Sequence, residues 1–240
     1  MNELINRYKL PSTMTDIHGR LGLVGALGLV QDNMCNFFRM LNCDGFIMEP
    51  KLHCFWVVTK TNIKLHDTAD WLDEIIVKSY LTKKTNIRLN LTTEIILEKD
   101  NKLLVECNQE ICAMGSIDRK IRLVEDTYFP KDIEVKDYGY NFKKINVDID
   151  SMACRQIQVE FSNIDFCLHT NNLEYVRFML NSYPLEFWKD KTIKEFDIQY
   201  MSESRFGSTL SVYFNNIDNK CVFAIVNNDN VITKAELIFD

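Results

Sequence analysis

Residues 165–172 read Asp-Phe-Cys-Leu-His-Thr-Asn-Asn, a carboxylate, a thiol, an imidazole and two carboxamides within eight positions. Three chemistries fit that set. Cys167 and His169 lie two apart, and on an extended segment such side chains share a face. The imidazole could then take the thiol proton and raise a nucleophile. Asp165, Cys167 and His169 are also metal-ligand types. No CxxC pair and no second cluster supplies the rest of a ligand set: Cys107 and Cys112 are five apart, and His53–Cys54 has no matching pair. The third reading is a polar loop in which Asn171 or Asn172 caps a helix by accepting from its first free N–H groups. Capping accounts for one asparagine and leaves Asp165 and His169 without a reason.

The elements around this loop set its geometry. "NNLEYVRFMLNSYP" places Leu173, Val176, Met179 and Leu180 on one helical face, with Pro184 just past the end. "CRQIQVEFSNID" precedes it as a strand, and "TIKEFDIQYMSES", "STLSVYFNNIDN", "KCVFAIVNND" and "VITKAELIFD" follow as strands. The first half of the chain has the same order. Residues 1–15 hold a short strand. A long helix follows, with Leu23, Leu27, Val30, Met34, Phe37, Phe38 and Leu41 at helical spacing and Gly45 at the C-cap position. Four strand-like segments fill 55–116. The wording "FFRMLN" in the first helix recurs as "RFMLNS" in the second. Such repetition predicts two copies of one unit.

Each helix must bury its apolar face against its own sheet. The expected class is therefore α+β: two tandem hot dog units, each a long helix wrapped by a curved antiparallel sheet. The units are placed at 1–130 and 151–240, with a Pro-, Gly- and charge-rich connector at 131–150. Gly19, Gly22, Gly25 and Gly28 fall three apart at the start of the first helix. A helical glycine costs about 1 kcal/mol relative to alanine, so the run predicts close approach of the helix to a sheet, room for a ligand along the helix, or both.

Composition narrows the function classes. With 240 residues, 46% hydrophobic content and a net charge of −6, the chain can bury a core for one large domain or two ordinary ones. Its charge does not favour non-specific nucleic-acid binding. "MNELINRYKL" has no apolar export region, and "LGLVGALGLVQ" is too short and too glycine-rich to span a membrane. A cytoplasmic protein with its eight cysteines reduced is the expectation.

"NIDFCLHTNNLEYVRFMLNSYP" resembles the active-site segment of the acyl-acyl carrier protein thioesterases, double hot dog enzymes, here of bacterial type. That segment runs Asp-x-Asn-x-His-x-Asn-Asn and then a helix with an early aromatic; the matches are Asp165, His169, Asn171, Asn172 and Tyr175. "FDIQYMSESRFGSTL" is similar to the family's strand with Tyr-x-x-Glu and a glycine four beyond, here Tyr200, Glu203 and Gly207. In the first unit, the strand at Phe55–Leu65 and the turn with Trp71 and Asp73 resemble the family's Trp-Val strand and Trp-x-Asp turn. The resemblance covers nearly the whole chain.

The resemblance implies roles. Asp165 acts as nucleophile or general base, His169 polarises or positions the carbonyl or the water, and Glu203 orients or activates water. The N-terminus of the second helix, with Asn171 and Asn172, meets the thioester carbonyl. The acyl chain would enter an apolar tunnel in the first unit, and the glycine run read above, with Gly25 and Gly28, is expected to make room for it. Cys167 stands where the family has asparagine, exchanging a good donor and acceptor for a weak one, and Ser204 stands where plant members have cysteine. Asp16 and His18 have a different spacing and Thr68 lies where Glu203 would be, so the first unit is expected to be non-catalytic.

The implied activity is thioester hydrolysis releasing free fatty acid from acyl-acyl carrier protein, which ends fatty acid synthesis. The alternatives are an acyl-coenzyme A thioesterase of the hot dog type and a non-catalytic acyl-thioester-binding protein. No metal or other cofactor is expected, because the phosphopantetheine arm arrives with the substrate. The acidic carrier would need basic residues, for which Lys143, Lys144, Arg177 and Lys194 are candidates. Pairing into a homodimer is left open.

Overall fold

The computed structural model describes residues 3–136 and 138–240. The chain divides into two compact units, Met1–Phe142 and Lys143–Asp240. In the first, β1 (Glu3–Lys9) precedes α1 (Leu23–Met40) and α2 (Gly45–Leu52). Four strands follow: β2 (Cys54–Leu65), β3 (Glu74–Lys84), β4 (Leu89–Leu97) and β5 (Lys102–Gly115). In the second, β6 (Ala153–Gln158) precedes α3 (Asn172–Leu180) and α4 (Leu185–Trp188). Then come β7 (Ile193–Tyr200), β8 (Thr209–Ile217), β9 (Lys220–Asn227) and β10 (Asn230–Phe239).

The strand orders coincide. The first unit runs β1-β3-β4-β5-β2 and the second β6-β8-β9-β10-β7, antiparallel throughout. Each second-unit strand thus occupies the place of the strand five earlier in chain order. The repeat read from the sequence is a repeat of topology as well as of element order.

Period-2 alternation sets the inner face of the first sheet. Ile75, Val77, Ser79 and Leu81 of β3 are all buried, and α1 turns Leu23, Ala26, Leu27, Val30, Met34 and Phe37 inward. At roughly 25 cal/mol per Å², this apolar face is what holds the helix on the sheet. One polar line crosses it without leaving its groups unpaired. Asn6 Nδ2 donates to Asn33 Oδ1 at 2.7 Å, Asn33 Nδ2 donates to Ser79 Oγ at 2.6 Å, and Ser79 and Thr93 share a hydroxyl bond of 2.8 Å.

The structure departs from expectation at three places. Gly45 does not cap α1. That helix ends at Met40, and Gly45 opens α2, whose N-cap Asp44 accepts from Phe46 N–H at 2.9 Å. The second unit's helix is half as long as the first. α3 stops at Leu180, Ser182 Oγ donates back to the Phe178 carbonyl at 3.0 Å, and Pro184 is the N-cap of α4. Around α4, Tyr183 stacks on Phe187 with ring centroids 4.2 Å apart and meets Trp188, Phe214 and Phe223 edge-on.

Gly25 is the third. A Cβ there would lie 2.0 Å from the Met14 carbonyl oxygen. The glycine lets the turn at Ser12–Met14 pack directly against α1, so its free side is taken by backbone and leaves no room for an acyl chain. Gly25→Ala is expected to lower stability by about 3 kcal/mol, because backbone rather than a side-chain tip must move. Asp44→Ala, which removes a helix cap and a pair with the exposed Arg39, is expected to cost about 1 kcal/mol. Urea unfolding of the two variants checks the ranking, and equal midpoints would contradict it.

Candidate active site

The loop between β6 and α3 is built by short-range bonds. Asp165 N–H donates to the His169 carbonyl at 2.9 Å, and an isolated bridge pairs Ile164 with Thr170. Asp165 Oδ1 accepts from Cys167 N–H at 2.9 Å, an Asx turn. Leu168 takes a positive φ of 62° to close it. Asn163 braces the loop from behind, accepting from Glu160 N–H at 2.8 Å and donating to Glu174 Oε2 at 2.8 Å. Asn171 is the N-cap of α3 and accepts from Leu173 N–H at 3.0 Å, while Asn172 is the first helical residue.

Glu203 reaches this loop from the segment that follows β7. Thr170 N–H donates to the Ser204 carbonyl at 2.9 Å. That link places His169 Nε2 2.8 Å from Glu203 Oε1, with the imidazole side chain 15% and the carboxylate 29% exposed. Arg205 Nη2 lies 3.4 Å from the same ring nitrogen and 3.6 Å from Glu203 Oε1. Arg205 was not among the residues picked from sequence. An arginine two positions after the glutamate is the signal that could have found it. Its own side chain is 69% exposed, so screening keeps its contribution small.

The first unit carries the same loop with other side chains. Asp16 N–H donates to the Arg20 carbonyl at 2.7 Å, His18 N–H donates to Asp16 Oδ1 at 2.8 Å, and Gly19 takes a φ of 72°. Leu21 N–H donates to the Ala69 carbonyl at 2.8 Å, as Thr170 does to Ser204. Asp16 therefore matches Asp165, His18 matches Cys167, Arg20 matches His169, and Thr68 matches Glu203. Thr68 Oγ1 is turned onto the Leu21 carbonyl at 3.1 Å. An imidazole–carboxylate pair arises in the second unit alone of these two loops, and the aspartate is common to both.

The other predicted residues distribute plainly. Asp165, Cys167, His169, Asn171 and Asn172 share one loop and helix start, and Glu203 joins them. Cys167 is half-buried. Burial pushes the Cys43 thiol up to about 12 and that of Cys221 up to about 11, and raises Cys54, Cys107 and Cys112 for the same reason. Those five are poor thiolates. Among the described residues no three His, Cys, Asp or Glu side chains gather as a metal-holding group, and no helix is long and apolar enough to cross a membrane. Of the basic candidates, Lys143 pairs with Glu195 at 3.7 Å, Lys194 with Asp240 at 3.1 Å, and Arg177 with Glu174.

Several known proteins are similar to this chain. A chloroplastic acyl-acyl-carrier-protein hydrolase of Cuphea viscosissima is 23% identical over 188 residues, covering 74% of this chain and 45% of that protein. A palmitoyl-acyl carrier protein thioesterase of Gossypium hirsutum is 22% identical over 189 residues, with 74% and 46% covered. The chain thus spans about half the length of these curated relatives. The crystal structure of an acyl-ACP thioesterase from Bacteroides thetaiotaomicron superposes with a TM-score of 0.85 at 18% identity, over 99% of this chain and 98% of that one. The 12:0-ACP thioesterase from Umbellularia californica gives 0.86 at 17%, over 99% and 97%. At such identities the superpositions speak for the double hot dog fold. The family profiles speak for descent: the acyl-ACP thioesterase N-terminal domain matches residues 2–131 and the C-terminal domain matches residues 146–240, so the chain belongs to the acyl-ACP thioesterase family.

Proposed function

We propose that this protein hydrolyses fatty acyl thioesters carried on acyl carrier protein, releasing free fatty acid in the cytoplasm at the end of fatty acid synthesis. The observation that carries the proposal is the His169–Glu203 contact of 2.8 Å beside the N-terminus of α3. A carboxylate bonded to one ring nitrogen orients the imidazole and favours the tautomer whose other nitrogen accepts a proton. Water then loses its proton to His169 as its oxygen bonds to the thioester carbonyl carbon. Backbone N–H groups and the positive end of α3 favour the resulting oxyanion. Collapse breaks the C–S bond, and the imidazolium returns the proton to the leaving thiol. No cofactor enters these steps, and the phosphopantetheine arm comes with the substrate.

Asp165 takes a positioning role in this scheme. Its Oδ1 closes the turn that presents His169, and Asp16 does the same in the loop where Arg20 stands in place of His169. Cys167 supplies a backbone N–H to that turn and replaces the family's asparagine side chain. Gly28 is half-buried on α1 and keeps the expectation of room for the acyl chain that Gly25 loses. Coenzyme A as carrier, and binding without turnover, are the competing readings.

Thiol release from acyl carrier protein and coenzyme A esters of several chain lengths tests the proposal. Faster release from the carrier-protein esters is expected, and tight binding with no release would overturn it. His169→Ala and Glu203→Gln should each lower kcat by roughly 10²–10⁴-fold. Asp165→Asn preserves the turn's acceptor and should retain most of the rate that Asp165→Ala loses; equal losses would make Asp165 the base or nucleophile instead. Cys167→Asn should raise kcat, and a fall would show that the thiol position contributes nothing an amide improves.

A further inference from the structure

Beneath the His169–Glu203 pair lies a cluster of three hydroxyls that the chemistry above does not use. Thr170 Oγ1 and Ser204 Oγ are 2.7 Å apart, and Tyr175 OH and Ser204 Oγ are 2.9 Å apart. Ser204 N–H donates to the Tyr175 oxygen at 2.9 Å, and Thr170 Oγ1 donates to the Ser204 carbonyl at 3.1 Å. The residues are almost closed to solvent: Ser204 is 1%, Tyr175 2% and Thr170 3% exposed. Burial holds the Tyr175 phenol above its ordinary range, so its proton stays in place.

The first unit shows that the fold does not need these hydroxyls. The matching positions are Leu21, Ala69 and Ala26, all buried, and the backbone bond from Leu21 to Ala69 forms without them. Buried hydroxyls cost free energy unless every one is partnered, and apolar side chains serve the same packing in the sister loop. The polar set occurs in the unit that also carries the imidazole and the carboxylate.

We propose that Thr170, Ser204 and Tyr175 are positioning residues that hold His169 at bonding distance from Glu203, an inference that rests on the thioesterase reading of this site. The physical route is the alternation of extended chain. Thr170 follows His169 and Ser204 follows Glu203, so when the inward pair is clamped at 2.7 Å the outward pair stands opposite at 2.8 Å. Tyr175 ties the clamp to α3, which fixes the pair against the helix N-terminus where the carbonyl would bind.

Tyr175→Phe, Ser204→Ala and Thr170→Val each remove one hydroxyl and little volume. Each is expected to lower kcat by 10- to 100-fold with KM within twofold of the parent, and Thr170→Ser should recover most of the loss. Thr127→Val removes a buried hydroxyl from a turn of the first unit and should lower stability without touching kcat. A second readout does not depend on turnover: the solvent exchange of the His169 ring N–H, assigned by its loss in His169→Ala. Exchange should quicken at least tenfold in Tyr175→Phe and Ser204→Ala. Unchanged kcat and exchange, or losses confined to KM, overturn the proposal. A parent protein that exchanges slowly but releases no thiol overturns the thioesterase reading and leaves the clamp standing.

Discussion

The hydrogen bond from Thr170 N–H to the Ser204 carbonyl is the constraint on which the site depends. Its ends lie thirty-four positions apart, and the chain between them includes α3, α4 and all of β7. Its two flanking residues are the histidine and the glutamate. The imidazole is 15% and the carboxylate 29% exposed, so solvent weakens the attraction between them. The order comes from the chain beneath them.

That chain is used twice. Both units turn the same corner before their helix, with an aspartate accepting from the backbone two residues on and a left-handed residue closing the turn. The left-handed position costs Gly19 nothing, while Leu168 carries a Cβ penalty there. Duplication therefore separates two kinds of conserved geometry within one molecule. The aspartate and the bridge to the following strand belong to the fold. The imidazole, the carboxylate and the hydroxyls under them belong to one copy. A site grafted on one of two equivalent loops is what a scaffold independent of its chemistry permits.

Much of this was legible in the chain. The repeat, the α+β class and ten strand-bearing segments follow from period and turn residues, because apolar alternation is a local signal. A cap at Asn171 or Asn172 followed from their place before the apolar face of α3, and the structure puts it at Asn171. The end of α1 did not: Gly45 looks like a stop, but Asp44 ahead of it starts a new helix, and capping at both ends uses overlapping residue types. Gly25 was legible as unusual and not as to why, since a glycine that admits a ligand and one that admits a neighbouring carbonyl read alike. Tyr175 was visible as a family aromatic, while its hydroxyl's partner lies on another element.

The sequence by itself determined the residue types of the site, the two units and the family, because each is written in contiguous segments. The tertiary structure alone decided which of those residues meet. It brought Glu203 to His169, committed an oxygen of Asp165 to its own turn, and buried three hydroxyls behind the pair. The reason is that contact between residues far apart in the chain depends on register and strand order, and these arise only when the sheet closes over its helix.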